Sequence, residues 1–144
     1  MKFTFKNILY NSKNYWQSVD LRDTILRQPL GLVFTKEELL LEDVQLHFAG
    51  FAANEIIGSF IFVKVDERKL KMRQVCIAES FQKKGVGSKM MLFAENWAKE
   101  NGFKEIYCHA RNNALAFYKN LDYTIEGDSF EEVGLKHYKL IKYL

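Results

Sequence analysis

Met72-Arg-Gln-Val-Cys-Ile-Ala-Glu-Ser-Phe-Gln-Lys-Lys-Gly-Val-Gly-Ser-Lys-Met-Met-Leu-Phe-Ala-Glu-Asn-Trp-Ala-Lys-Glu-Asn-Gly102 reads as a strand, a cationic loop carrying two glycines, and a helix. The run around Val75, Cys76 and Ile77 has the length of a buried strand. From Val86 the period changes. Met90, Met91, Phe93, Ala94, Trp97 and Ala98 recur at three- and four-residue steps, which predicts an amphipathic helix. Asn101-Gly102 supplies its stop, with Gly102 suited to left-handed geometry just past a helix end.

Between strand and helix lies Gln82-Lys83-Lys84-Gly85-Val86-Gly87-Ser88. A helix start leaves backbone N–H groups unpaired and carries a partial positive charge. Glycines let that backbone approach a bulky anion, and the two lysines add mobile cationic donors. The loop therefore reads either as a phosphate-binding turn or as a surface loop with a solvated lysine pair. A dinucleotide fingerprint is excluded because Met90 stands where its third glycine belongs. A Walker loop is excluded because Ser88-Lys89 follows Gly87 in the wrong order.

What remains, Gln-x-x-Gly-x-Gly between a strand and a helix, resembles the acetyl-CoA-binding motif of the GCN5-related N-acetyltransferase (GNAT) superfamily, in particular its small bacterial members. The rest of the chain fits that resemblance, most strongly from Arg73 to Tyr123. Lys2–Phe5 alternates as a first strand, and Asn11–Asn14 offers caps for a helix over 15–27. That helix has Trp16, Val19, Ile25 and Leu26 on its expected inner face and is ended by Pro29. Thr35-Lys-Glu-Glu38 has the form of a capping box. The segments 44–53 and 55–65 read as antiparallel strands about Asn54, the second apolar on both faces and so central. The segment 105–110 is a strand, 113–121 a short helix capped by Asn112 or Asn113, and 123–130 and 137–143 are closing strands. A strand–helix–strand crossover makes the Met72 and Glu105 strands parallel neighbours. The expected fold is thus α/β: a central mixed sheet, mostly antiparallel, with splayed parallel strands four and five, flanked by helices. One N-acetyltransferase domain over residues 1–144 is expected.

Composition agrees with an ordered globular protein. Of 144 residues, 48% are hydrophobic and 15% aromatic, and 21 Lys+Arg against 18 Asp+Glu leave a net charge of +3. The lysines are scattered, which argues against nucleic acid. Neither a secretory h-region nor a spanning apolar run is present, so a cytoplasmic protein without membrane association is expected. Cys76 and Cys108 lack metal-ligand spacing, and reduced buried thiols with no metal site are expected.

The resemblance implies roles residue by residue. Main-chain groups of Val75, Cys76 and Ile77 would pair with the pantetheine arm of acetyl-CoA, one of them polarising the thioester carbonyl. Backbone amides from Gln82, Lys83, Lys84, Gly85, Val86, Gly87 and Ser88 would hold the pyrophosphate. Asn113 would stand at the start of the next helix and Tyr118 near the sulfur, as donor to the departing thiolate. Asp122 stands before Tyr123 where the family has glycine, and Asp tolerates left-handed geometry. For the base, His47, His109 and His137 are candidates beside a water chain. Arg22, Glu42, His47 and His137 are the candidate substrate residues. Glu42, Asp43, Glu131 and Glu132 would attract a cationic amine, whereas Arg22 and Arg27 would hold a carboxylate, so the substrate's charge stays open. The implied activity is acetyl transfer from acetyl-CoA to a primary amine of a small molecule or peptide, by direct attack in a ternary complex. A catalytically silent acyl-CoA-binding module and a protein N-terminal or lysine acetyltransferase are the alternatives, and a homodimer remains open.

Overall fold

The structure is a computed structural model that describes residues 2–144. Seven strands form one sheet: β1 (Phe3–Ile8), β2 (Leu46–Ala52), β3 (Glu55–Lys64), β4 (Lys69–Ile77), β5 (Glu105–Arg111), β6 (Thr124–Glu132) and β7 (Leu135–Tyr143). Their order is β1-β2-β3-β4-β5-β7-β6. Among the described residues only β4 and β5 pair in parallel, and every other neighbour is antiparallel. This is the mixed sheet that the strand–helix–strand reading requires.

β3 is the strand with two apolar faces, and it is buried without a break from Ile57 to Phe62. The helix α3 (Val86–Glu100) crosses from β4 to β5 and sets Met90, Met91, Ala94 and Ala98 against Phe48, Phe60, Phe62 and Met72. Phe48 and Phe60 stack at 4.7 Å, and Trp97 meets Phe48 edge-on at 5.0 Å. Such aromatic pairs add roughly 0.5–1.5 kcal/mol each beyond the area they bury. Gly102, at φ +85°, ends the crossover as its sequence position requires.

The helix α1 (Lys13–Arg22) starts at Ser12, whose hydroxyl accepts from the Tyr15 amide. It is shorter than the sequence pattern indicates. Residues Asp23–Arg27 continue as a π-helical turn and Gln28–Leu30 as a 3₁₀ turn, before Gly31 at φ +68°. The inner face also rotates relative to expectation. Trp16 is 43% exposed and donates to Asn11 Oδ1, while Tyr15, Ser18, Val19 and Arg22 are buried. The short helix α2 (Lys36–Leu40) is capped by Thr35, which accepts from the Glu38 amide at 3.1 Å. The helix α4 (Leu115–Lys119) follows a 3₁₀ turn at Asn112–Ala114, and neither asparagine caps it. Asp122 takes φ +70°, so the turn into Tyr123 keeps its left-handed residue without glycine.

Candidate active site

β4 carries an irregularity at its centre. Ser59 pairs with Cys76 and Ile61 with Arg73, so Gln74 and Val75 together stand opposite Phe60 alone. This is a bulge, and it holds Gln74 at φ +54°. On the other edge of β4, pairing with β5 stops at Met72–Cys108. Past that rung, Arg73 to Ile77 diverge from His109 to Arg111. The bulge and the divergence leave main-chain groups of β4 facing a wedge.

The wedge opens into a cavity of about 800 Å³ whose walls include Gln74, Val75, Ile77, Gln82, Lys83, Gly85, Gly87 and Ser88. Lys83 and Gly85 both adopt positive φ, at +60° and +81°. Gln82 donates its side-chain amide to the Ile77 carbonyl at 2.9 Å, tying the loop to the end of β4. α3 begins after Gly85 with no side chain capping its first amides. Gly87 is constrained sterically instead, because a Cβ there would lie 3.2 Å from Phe117 of α4. Among the expected cofactor residues, Cys76, Val86 and Lys84 fall outside the cavity wall. Cys76 and Val86 are buried behind it, and Lys84 is exposed.

Asn113, Phe117 and Tyr118 form the opposite wall. Tyr118 is 7% exposed, its hydroxyl beside the Cys108 thiol. Burial, with Cys108 as its neighbour, raises the phenol well above its ordinary pKa, so it stays protonated at neutral pH. Burial also pushes the thiols up, Cys76 to about 11 and Cys108 to about 12. Neither has thiolate character at neutral pH, and a Cys76 nucleophile finds only Ser59 Oγ at 3.4 Å.

The far end of the cavity is polar. Lys71 and Arg73 of β4 lie two apart, and so do His109 and Arg111 of β5, so each pair shares a sheet face. Glu132 bridges two histidines, 3.5 Å from His109 Nδ1 and 3.7 Å from His137 Nε2. Burial and the Lys71 charge lower the His109 pKa against the opposing pull of Glu132. Sequence reasoning weighed His109, His137 and Glu132 but passed over Gln74, Lys71, Arg73 and Arg111. The alternation of cations at 69, 71 and 73 was the available signal.

The other substrate candidates are brought together, but elsewhere. Arg22, Glu42 and His47 are 1%, 3% and 3% exposed and lie outside the cavity wall. Arg22 grips Glu42 with two bonds of 2.8 Å, Tyr15 donates to the same carboxylate at 2.8 Å, and His47 Nε2 donates to the Glu42 carbonyl at 2.8 Å. This placement sets the three groups expected to contact substrate against one another instead, with only Arg22 Nε left without a partner. Of the four acids expected at the mouth, only Glu132 is in the wall, and Arg27 is there already paired with Glu38 at 2.9 Å.

Two features fit an acyl-CoA. The uncapped start of α3 suits a diphosphate. Gln74 Oε1 is buried without a hydrogen-bond partner in the wall, an acceptor suited to an amide N–H. No group of His, Cys, Asp or Glu capable of holding a metal occurs among the described residues, and no described helix is long and apolar enough to cross a membrane.

Known proteins share this fold. The uncharacterized protein YyaT of Bacillus subtilis (strain 168) is 27% identical over 109 residues, covering 76% of this chain and 72% of its own. A GNAT family acetyltransferase from Elizabethkingia anophelis, solved with acetyl-CoA bound, superposes with a TM-score of 0.77 at 18% identity, over 99% of this chain and 98% of the other. A Bacillus subtilis acetyltransferase in complex with CoA gives 0.76 at 19% identity over 99% of each. The sequence profile of the Acetyltransferase (GNAT) family matches residues 12–123, from the cap of α1 through the Gln82–Ser88 loop to Tyr123, and the chain belongs to that family.

Proposed function

We propose that the protein transfers the acetyl group of acetyl-CoA to a primary amine of a small molecule or peptide, by direct attack within a ternary complex. The observation that carries this reading is one continuous cavity. It runs from the uncapped start of α3, past the β4 bulge, to a polar chamber beyond the last β4–β5 rung. Acetyl-CoA would supply the acyl group as a thioester. Amides of the Gln82–Ser88 loop hold the anionic end, with Lys83 beside them. Main-chain groups at Val75 and Ile77 hold the extended arm and orient the carbonyl. Both thiols of the chain are buried and protonated, which supports direct attack over an acyl-enzyme.

In the reaction the N–C bond forms as the C–S bond breaks. One proton leaves the nitrogen, and one ends on the CoA sulfur. We assign the first to His109. With its Nδ1 proton turned toward Glu132, Nε2 is left to accept, and the lowered pKa keeps the ring neutral at pH 7. His109→Ala is expected to lower kcat/KM by about 100-fold. The parent profile should decline as pH falls through a value below the ordinary histidine pKa of about 6.5, and the variant should lose that limb. An unchanged limb would remove His109 from this role.

Gly85→Glu tests the phosphate end. A Cβ at Gly85 meets nothing within 4 Å, so the fold accommodates it apart from the cost of φ +81°, about 1–2 kcal/mol. A carboxylate there opposes a diphosphate. Acetyl-CoA affinity by calorimetry should drop about 100-fold relative to Gly85→Ala, which carries the same backbone strain. Binding as tight as in the parent protein would place the cofactor elsewhere.

A further inference from the structure

The polar chamber has an unbalanced charge. Lys71, Arg73 and Arg111 line it, and none of them ends on a carboxylate. Arg73 Nη1 donates to the neutral Gln45 Oε1 at 3.0 Å, and Arg111 Nη2 donates to the Leu26 carbonyl at 3.3 Å. Three partly buried cations thus face a single acid, Glu132, which is already shared between His109 and His137. The Lys139–Glu126 pair at 2.9 Å lies outside the chamber and leaves its charge unchanged. Unpaired cations of one sign in a low-dielectric pocket are costly unless a ligand of opposite sign joins them. Burial, with the Arg73 charge, lowers the Lys71 pKa against the opposing pull of Glu132.

From this imbalance we infer that the acceptor is a primary amine that itself carries an anionic group, a carboxylate or a phosphate, seated on Arg73, Arg111 and Lys71. Polycationic amines are disfavoured by the same field. The arrangement also serves the chemistry: cations near the incoming nitrogen favour its neutral, nucleophilic form. Two bidentate donors on neighbouring strands suit a planar or tetrahedral oxyanion, whereas the flexible Lys71 supplies charge alone.

This inference rests on the acetyltransferase reading, and one experiment separates the two. The full chain is given acetyl-CoA and three classes of amine matched in length: ω-amino carboxylates with ω-amino phosphonates, uncharged alkylamines, and linear polyamines. CoA thiol release is followed as kcat/KM, with acetyl-CoA binding measured independently. Anionic amines should exceed the matched uncharged ones by at least about tenfold, with polyamines lowest. The ratio of carboxylate to phosphonate identifies the anion. Arg73→Gln should bring the anionic-to-uncharged ratio toward one, and Arg73→Lys should restore part of it, with both variants melting close to the parent. Uncharged amines or polyamines leading the panel would overturn this inference and leave the acetyltransferase reading standing. Turnover with no class, although acetyl-CoA binds, would overturn both.

Discussion

Glu42→Ala is expected to destabilise the protein by about 3–5 kcal/mol, the cost of leaving one charge of a buried ion pair uncompensated. Arg22 is 1% exposed, and two of its three nitrogens end on this carboxylate, while Nε has no partner. Removing Glu42 strands the guanidinium and takes the acceptor from Tyr15 Oη. A urea melt measures the loss. The double variant Arg22→Met with Glu42→Ala should recover much of it, because an apolar side chain of similar length needs no counter-charge. A single-variant loss below about 1 kcal/mol would mean that water or a side-chain shift satisfies Arg22. The effect should read out in stability: residual kcat in the folded fraction is expected within a few-fold of the parent, since none of the three residues lines the cavity.

The same network sets the acid limit of the fold. Burial alone would raise the Glu42 pKa, but the Arg22 bonds and charge, helped by Tyr15 and His47, outweigh it and hold the group below the ordinary carboxylate range. A depressed native pKa means that the unfolded chain binds the proton more readily. The stability is therefore present above the unfolded value of about 4.3 and is lost as pH falls through the lower native one. His47 acts with the same sign and earlier. Its burial depresses the native pKa, so its share begins to fade below about 6.5.

The loop that opens α3 was legible in the sequence because local physics decides it. Two glycines, a change from strand to helical period, and no capping side chain before Val86 are all adjacent in the chain. Thr35 with Glu38, and Asp122 at a left-handed turn, were readable for the same reason. The polar end of the cavity was not. Gln74 reaches φ +54° only because β3 offers one residue against two, which depends on a partner strand rather than on Gln74 itself. Lys71 and Arg73 meet His109 and Arg111 only once the crossover has closed, and alone they read as the solvated face of a strand. Arg22 and Glu42 are twenty positions apart, and a charged pair in sequence gives no sign of being buried. The π-helical turn at Asp23–Arg27 rotated the helix pattern, and it brings Ile25, Leu26 and Arg27 into the cavity wall.

Tyr118→Phe is expected to lower kcat by about 100-fold while acetyl-CoA binding stays within about twofold. Tyr118 lies in the wall beside Cys108, and α4 holds its ring edge-on to Phe117 at 5.1 Å and to Tyr123 at 5.6 Å. Phenylalanine keeps those packing contacts. It removes a hydroxyl whose neighbour is a weak thiol acceptor, so the stability cost is about 1 kcal/mol. The raised pKa of the phenol limits the role expected of it. A free thiol has a pKa near 8.5, well below that of this hydroxyl, so full proton transfer from Tyr118 to a sulfur anion runs uphill. In the proposed reaction Tyr118 would offer a fixed hydrogen bond toward charge that develops only as the C–S bond breaks, with solvent delivering the proton afterwards. Such an interaction strengthens in the transition state and is absent from the ground state, so its loss falls on kcat and not on binding. If kcat were unchanged, Tyr118 would be a core aromatic. A chain that also released no CoA with any amine would be an acyl-CoA-binding module that has kept the pocket and given up the reaction.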